Sequence, residues 1–220
     1  MLNIIPAAQR RVLAFAAVVF ASCVATGIAI AAPDAAFDSA FRHFIVASGG
    51  DKSAVDPAAD EFDALLKAEP ANPVLMAYAG AATTLRATTT MLPWKKMSYA
   101  EDGLALIDKS LAMLTPAHDA RLQHGTPGAL EVRFVAANAF LGVPPFMNRA
   151  ARGAKLLDEV LASPLFATAP LPFQGSVWMR AAALATKEQR SADALRYLNE
   201  VIARNAPQAD KARALLKAAA

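Results

Sequence analysis

A nine-residue pattern that recurs four times governs what this chain can fold into. It reads AADEFDALL at 58–66, GLALIDKSL at 103–111, GAKLLDEVL at 153–161 and ALRYLNEVI at 194–202. Each copy opens on Ala or Gly and carries a large apolar residue fifth: Phe62, Ile107, Leu157 and Leu198. Asp or Asn stands sixth, and Leu or Ile ninth. A spacing of i, i+4, i+8 places the small residue and two apolar ones on one helical stripe. The copies begin 45, 50 and 41 residues apart, the irregular spacing expected of stacked helical hairpins. Sparse glycine, abundant Ala and Leu, and few β-branched runs after residue 32 favour helix on intrinsic propensity. The expected fold class is all-α.

The partner helices repeat as well. Small pairs occur at Ala79-Gly80, Ala136-Ala137 and Ala181-Ala182, where a neighbouring helix can approach closely. The first helix is expected in FDSAFRHFIVAS, with Phe37, Phe41, Phe44 and Ile45 on its buried face. Asp56-Pro57 reads as a helix start. Two stretches interrupt the pattern: TTTMLPWKKMS at 88–98, which Pro93 and the threonines keep from being clean helix, and VPPFMNR at 143–149. FATAPLPF at 166–173 reads as a loop before the last hairpin, and a final helix near 208–217 as an end cap.

Residues 1–31 differ from the rest. Arg10 and Arg11 precede an uncharged apolar run over 12–32, and Ala29-Ile30-Ala31 offers a small-x-small cleavage site. This is the layout of a secretory signal peptide, although the run is long enough to remain as a membrane anchor. Cys23, the only cysteine, sits in a weak lipobox-like context, and the two arginines loosely resemble a twin-arginine export signal. Each alternative exports residues 32–220 as one helical domain, in a periplasmic, secreted or inner-membrane-anchored form. A body without cysteine has no disulfide to hold it.

Charge excludes one class of partner. The chain has 22 basic and 19 acidic residues, and two of the basic ones are Arg10 and Arg11. The body is therefore nearly neutral, with no basic run longer than Lys95-Lys96, which is not a nucleic-acid footprint.

The repeats resemble the tetratricopeptide repeat family. The last hairpin carries the resemblance through Trp178, Ala181-Ala182, Ala194, Leu198, Val201 and Pro207. The junction of the first two carries it through Ala58, Phe62, Leu65, Pro70, Met76 and Ala79-Gly80. The likeness covers most of residues 37–217 and implies a right-handed superhelical array of about four hairpins plus a C-terminal capping helix. By the same resemblance, ligands would lie against the first helices of the hairpins. Ala77, Ala81, Thr84, Phe134, Asn138, Leu141, Met179, Ala183 and Lys187 would line that surface. The periods exceed the family's, and the excess falls at Pro93-Trp94-Lys95-Lys96 and Pro145-Phe146-Met147-Asn148.

Catalytic signatures are missing: the chain has no G-x-S-x-G, S-x-x-K, H-E-x-x-H or Gly-rich phosphate loop. His118, Asp119 and His124 share a polar loop without a third fixed metal ligand. Asp63, Asp108 and Asp158 lie about 100° off the buried stripe, on what should be a solvated face. Glu131 reads as a surface glutamate. The expectation is a non-enzymatic scaffold of the bacterial envelope, without metal or cofactor, that binds a protein or peptide. Its partner-binding candidates are Trp94, Lys95, Lys96, Phe134, Asn138, Phe146, Asn148, Arg149 and Met179. Large aromatics are usually buried, so the competing expectation folds Trp94 and Phe146 back between the hairpins. The alternatives are a glycan or small-molecule module using Trp94 and Phe146, and a helical lytic enzyme using Glu131. The membrane would be met only through an uncleaved N-terminal segment.

Overall fold

A computed structural model describes residues 34–122 and 124–219, and these belong to the unit Ala31–Ala220. The expected export segment and Cys23 lie outside the described residues. The nine α-helices among the described residues are α1 (Asp34–Ser48), α2 (Val55–Ala68), α3 (Pro73–Arg86), α4 (Pro93–Ala112), α5 (Gly128–Gly142), α6 (Ala150–Ala162), α7 (Leu171–Lys187), α8 (Ser191–Ala203) and α9 (Ala209–Ala219). The class is all-α, as the periodicity requires.

Consecutive helices pack in pairs, α1 with α2, α3 with α4, α5 with α6 and α7 with α8, and α9 packs on α8. The four nonapeptides fall on α2, α4, α6 and α8, the second helix of each pair. Phe62, Ile107, Leu157 and Leu198 are all buried. At the end of the pattern the expectation is corrected: Leu65, Ser110, Val160 and Val201 in the eighth place are buried, while the ninth is only half-buried. Helical geometry explains the shift. The eighth residue lies about 20° from the first around the axis and the ninth about 80°. The same rotation exposes Ile45, eight residues after Phe37, so it is not on α1's buried face. Phe37, Phe41 and Phe44 do face inward and surround Tyr78, with ring centroids 5.8, 5.7 and 5.2 Å away. Phe62 stacks on the same tyrosine at 4.9 Å.

α3 is the buried spine. Asn72 caps it by accepting from the amides of Val74 and Leu75 at 3.0 and 3.3 Å, and Pro73 occupies the first turn, where its missing N–H costs nothing. All residues from Pro73 to Ala82 are buried, because α1, α2, α4 and α5 each pack on α3. Gly80 lies against Gly103 of α4, so close that a Cβ on Gly80 would stand 2.6 Å from the Gly103 carbonyl oxygen. The small residue that opens the second nonapeptide is therefore a backbone-to-backbone contact.

Two boundaries depart from the sequence reading. The threonine run ends α3: the hydroxyls of Thr88 and Thr89 donate back to the carbonyls of Leu85 and Arg86. Pro93 then starts α4 rather than interrupting it, since proline fits the first helical turn. Trp94, Lys95 and Lys96 are thus on helix, not in a break. Likewise α7 begins at Leu171, within the expected loop, and the buried Gln174 amide secures its start by donating to the Ala169 carbonyl at 2.7 Å.

Candidate functional site

The interruption at 143–149 is a 3-10 turn, Pro145–Met147, ended by Asn148 in the left-handed region at φ 54°. Pro144 and Pro145 keep α5 from continuing, and Asn tolerates the left-handed conformation better than most residues. The turn lies against the middle of α4, and between them runs a shallow groove of about 330 Å³. From α4 it is lined by Met97, Glu101, Leu104 and Asp108, and from the turn by Phe146 and Met147. Leu104 is buried and forms the floor, while Phe146 is 66% exposed on the wall. Glu101 is exposed and, among the described residues, makes no ion pair.

Arg149 also borders this groove, but its charge is committed. It donates to Asp108 Oδ2 at 2.9 Å, Arg152 donates to Oδ1, and both guanidinium groups lie over the Phe140 ring at 5.4 and 5.1 Å. Asp108 is accordingly half-buried and doubly bonded, which corrects its place on a solvated face. Asp63 and Asp158 are exposed, as expected.

Trp94 is 67% exposed, one helical turn before Met97 on the same face of α4. Neither Trp94 nor Phe146 folds back between hairpins, which corrects the competing expectation. Lys95 and Lys96 are exposed beside the tryptophan. Trp94 does not line the groove with Phe146, so the two aromatics do not form one pocket.

The first-helix surface implied by the family resemblance is closed at its centre. Ala77 and Ala81 are buried under neighbouring helices. Phe134 is half-buried and edge-on to Phe173 at 5.4 Å. Asn138 spends its amide on the Phe134 carbonyl of its own helix at 3.0 Å, and Met179 packs against the core. These three residues stand on α5 and α7, apart from the α4 groove.

A second cluster escaped the sequence reading. Glu131 is 3% exposed, not a surface residue. Its Oε1 accepts from the Tyr78 hydroxyl at 2.6 Å, and its Oε2 meets His124 Nε2 at 2.5 Å. The His124 ring lies parallel to those of Phe37 and Phe41, 5.7 and 6.4 Å away. The hydrogen bond to Glu131, with help from the charges of Glu131 and Asp38, raises the His124 pKa above its ordinary value despite partial burial. Burial, and then the Glu131 charge, push the Tyr78 hydroxyl well above the usual phenol range. The signal available in the sequence was Glu131's position between Leu130 and Val132 in a helix start that offers no polar face. Both carboxylate oxygens are engaged, so Glu131 ties α5 to α3 through Tyr78 and to the loop that carries the partly exposed His124. His118 is likewise used locally, its Nδ1 accepting from the Thr115 amide at 3.0 Å. No group of three or more His, Cys, Asp or Glu that could hold a metal occurs among the described residues.

Compared with protein-family models, curated proteins and solved structures, the chain matches none of them.

Proposed function

We propose that this chain is an exported, tetratricopeptide-like helical scaffold that binds a protein of the cell envelope in the groove between α4 and the Pro145–Met147 turn. The observation that carries the reading is Phe146, a large apolar side chain 66% exposed on the wall of a groove floored by Leu104. A large aromatic left in water beside an apolar groove suits an anchor site for a partner's side chains. The occupant that fits is a short segment with apolar anchors over Leu104 and Phe146 and a cation facing Glu101. The mechanism is non-covalent: helices hold the two walls, and binding removes Phe146 and Met97 from water. Export rests on the layout of residues 1–31.

A photo-crosslinking residue in place of Phe146 tests this in intact cells. The expected result is one stoichiometric adduct, with the attached segment bearing the basic residue, and loss of that adduct in Met97→Asp and Glu101→Lys backgrounds. Adducts that are scattered, or that persist unchanged in both backgrounds, would sink the proposal.

A further inference from the structure

We propose that the corner joining α3 to α4 is a membrane-docking wedge that enters the headgroup region of an anionic lipid surface. This goes beyond the protein-binding groove, because Trp94 lies outside that groove. The corner carries three apolar side chains in water: Met91 at 86% exposure, Trp94 at 67%, and Leu92. Lys95 and Lys96 follow at once, both exposed, and neither makes an ion pair among the described residues. No acidic residue occurs from Ala87 to Ala100, so the tip itself carries two positive charges, with the carboxylates of Glu101 and Asp102 further along α4.

This combination separates a lipid surface from a protein pocket. An apolar tip ending in tryptophan, followed by two lysines, matches the boundary between acyl chains and headgroups, where indole rings concentrate and long cationic side chains reach phosphate. The wedge is also pre-formed. Thr88 and Thr89 end α3 through their hydroxyls, and Pro93 and Trp94 are already on the first turn of α4, so docking orders little new backbone. Among the described residues no helix is long and apolar enough to cross a membrane; the wedge requires only interfacial burial.

The chain reports on this corner through its own fluorescence. It has two tryptophans, and the other, Trp178, is 6% exposed with Arg204 over its ring at 5.3 Å. Residues 1–31 contain no tryptophan, so insertion of that apolar run by itself does not register. The full chain is mixed with vesicles of phosphatidylcholine alone or with phosphatidylglycerol, each with and without brominated acyl chains, and W94F serves as the blank. With phosphatidylglycerol, the Trp94 emission should shift to shorter wavelength and be quenched by bromine. In K95Q and K96Q the docked-to-undocked ratio should fall about fivefold for each lysine. The far-ultraviolet helix signal verifies that the variants are folded. The wedge is overturned if Trp94 stays unquenched while the chain sediments with anionic vesicles. It is equally overturned if quenching ignores lipid charge and both lysines. A blue shift that grows with protein concentration before vesicles are added would assign the corner to a second copy of the chain and overturn it too.

Discussion

The Tyr78 hydroxyl donates to Glu131 Oε1 at 2.6 Å, joining α3 to α5 through a carboxylate shut away from water. A buried carboxylate is tolerable only while its oxygens are bonded. Tyr78→Phe removes a donor without opening a cavity and should cost about 1–3 kcal/mol. Glu131→Ala should cost more, about 3–5 kcal/mol, since it leaves the tyrosine hydroxyl and His124 without their acceptor. Because the residues touch, the two changes should not add. A double-mutant cycle in urea that gives no coupling would show that the bond contributes nothing to stability.

The other oxygen of Glu131 makes stability depend on pH. The hydrogen bond to Glu131 raises the His124 pKa above its ordinary 6.5. A raised value means that the folded state binds the proton more tightly than the unfolded chain. The stabilisation is therefore complete below that ordinary value and is lost as pH rises through the folded-state value. The charged groups acting on the ring are Glu131 from α5 and Asp38 from α1, while Tyr78 from α3, bonded to the other Glu131 oxygen, stays neutral through this window. Melting temperatures of the wild type and His124→Gln, taken from about pH 5 to about pH 9, should differ most at the acid end and converge at the alkaline end.

How far the fold was legible follows from one angle. The nonapeptides located the second helix of every pair because their first and fifth residues, such as Gly103 and Ile107, are both buried. They misplaced the end of the stripe, because Leu66 and Leu111 lie further round the helix than Leu65 and Ser110. Pro93 was ambiguous for a different reason: proline ends a helix from within but starts one at its first turn, and only the Thr88 and Thr89 bonds decide between the two. At the groove, Phe146 and Arg149 were legible as residues but not as partners. Arg149 is drawn to Asp108, 41 positions away, and local sequence does not show such a pairing. Glu131 was the clearest miss, since its burial depends on Tyr78, 53 residues distant.

Close packing at the second helix pair leads to a contrast between glycines. Gly103→Ala should be costly, because its Cβ would collide with the Gly80 carbonyl and with Thr84 of α3. About 1–3 kcal/mol is expected, more if α4 cannot shift. Gly142→Ala, at the end of α5, meets nothing within 4 Å. It should be neutral or stabilise by up to about 1 kcal/mol through helix propensity. Equal melting temperatures for the two variants would refute the close approach of α3 and α4.

Trp94 and Phe146 should behave as surface residues in unfolding experiments, unlike Trp178, although all three are large aromatics. Burial decides the difference: Trp178 is enclosed, with Phe166 edge-on at 5.5 Å and Arg204 over its ring at 5.3 Å, whereas the first two are mostly in water. Trp178→Ala opens a cavity and should cost about 3–5 kcal/mol. Trp94→Ala and Phe146→Ala should each stay within about 0.5 kcal/mol of the wild type. Binding should show the reverse order. Phe146→Ala is expected to weaken partner capture at the groove and leave vesicle quenching intact, and Trp94→Ala to leave capture intact and weaken co-sedimentation with anionic vesicles. If either exposed aromatic instead lowered stability by several kcal/mol, it would belong to the core, and the surface assigned to it would be lost.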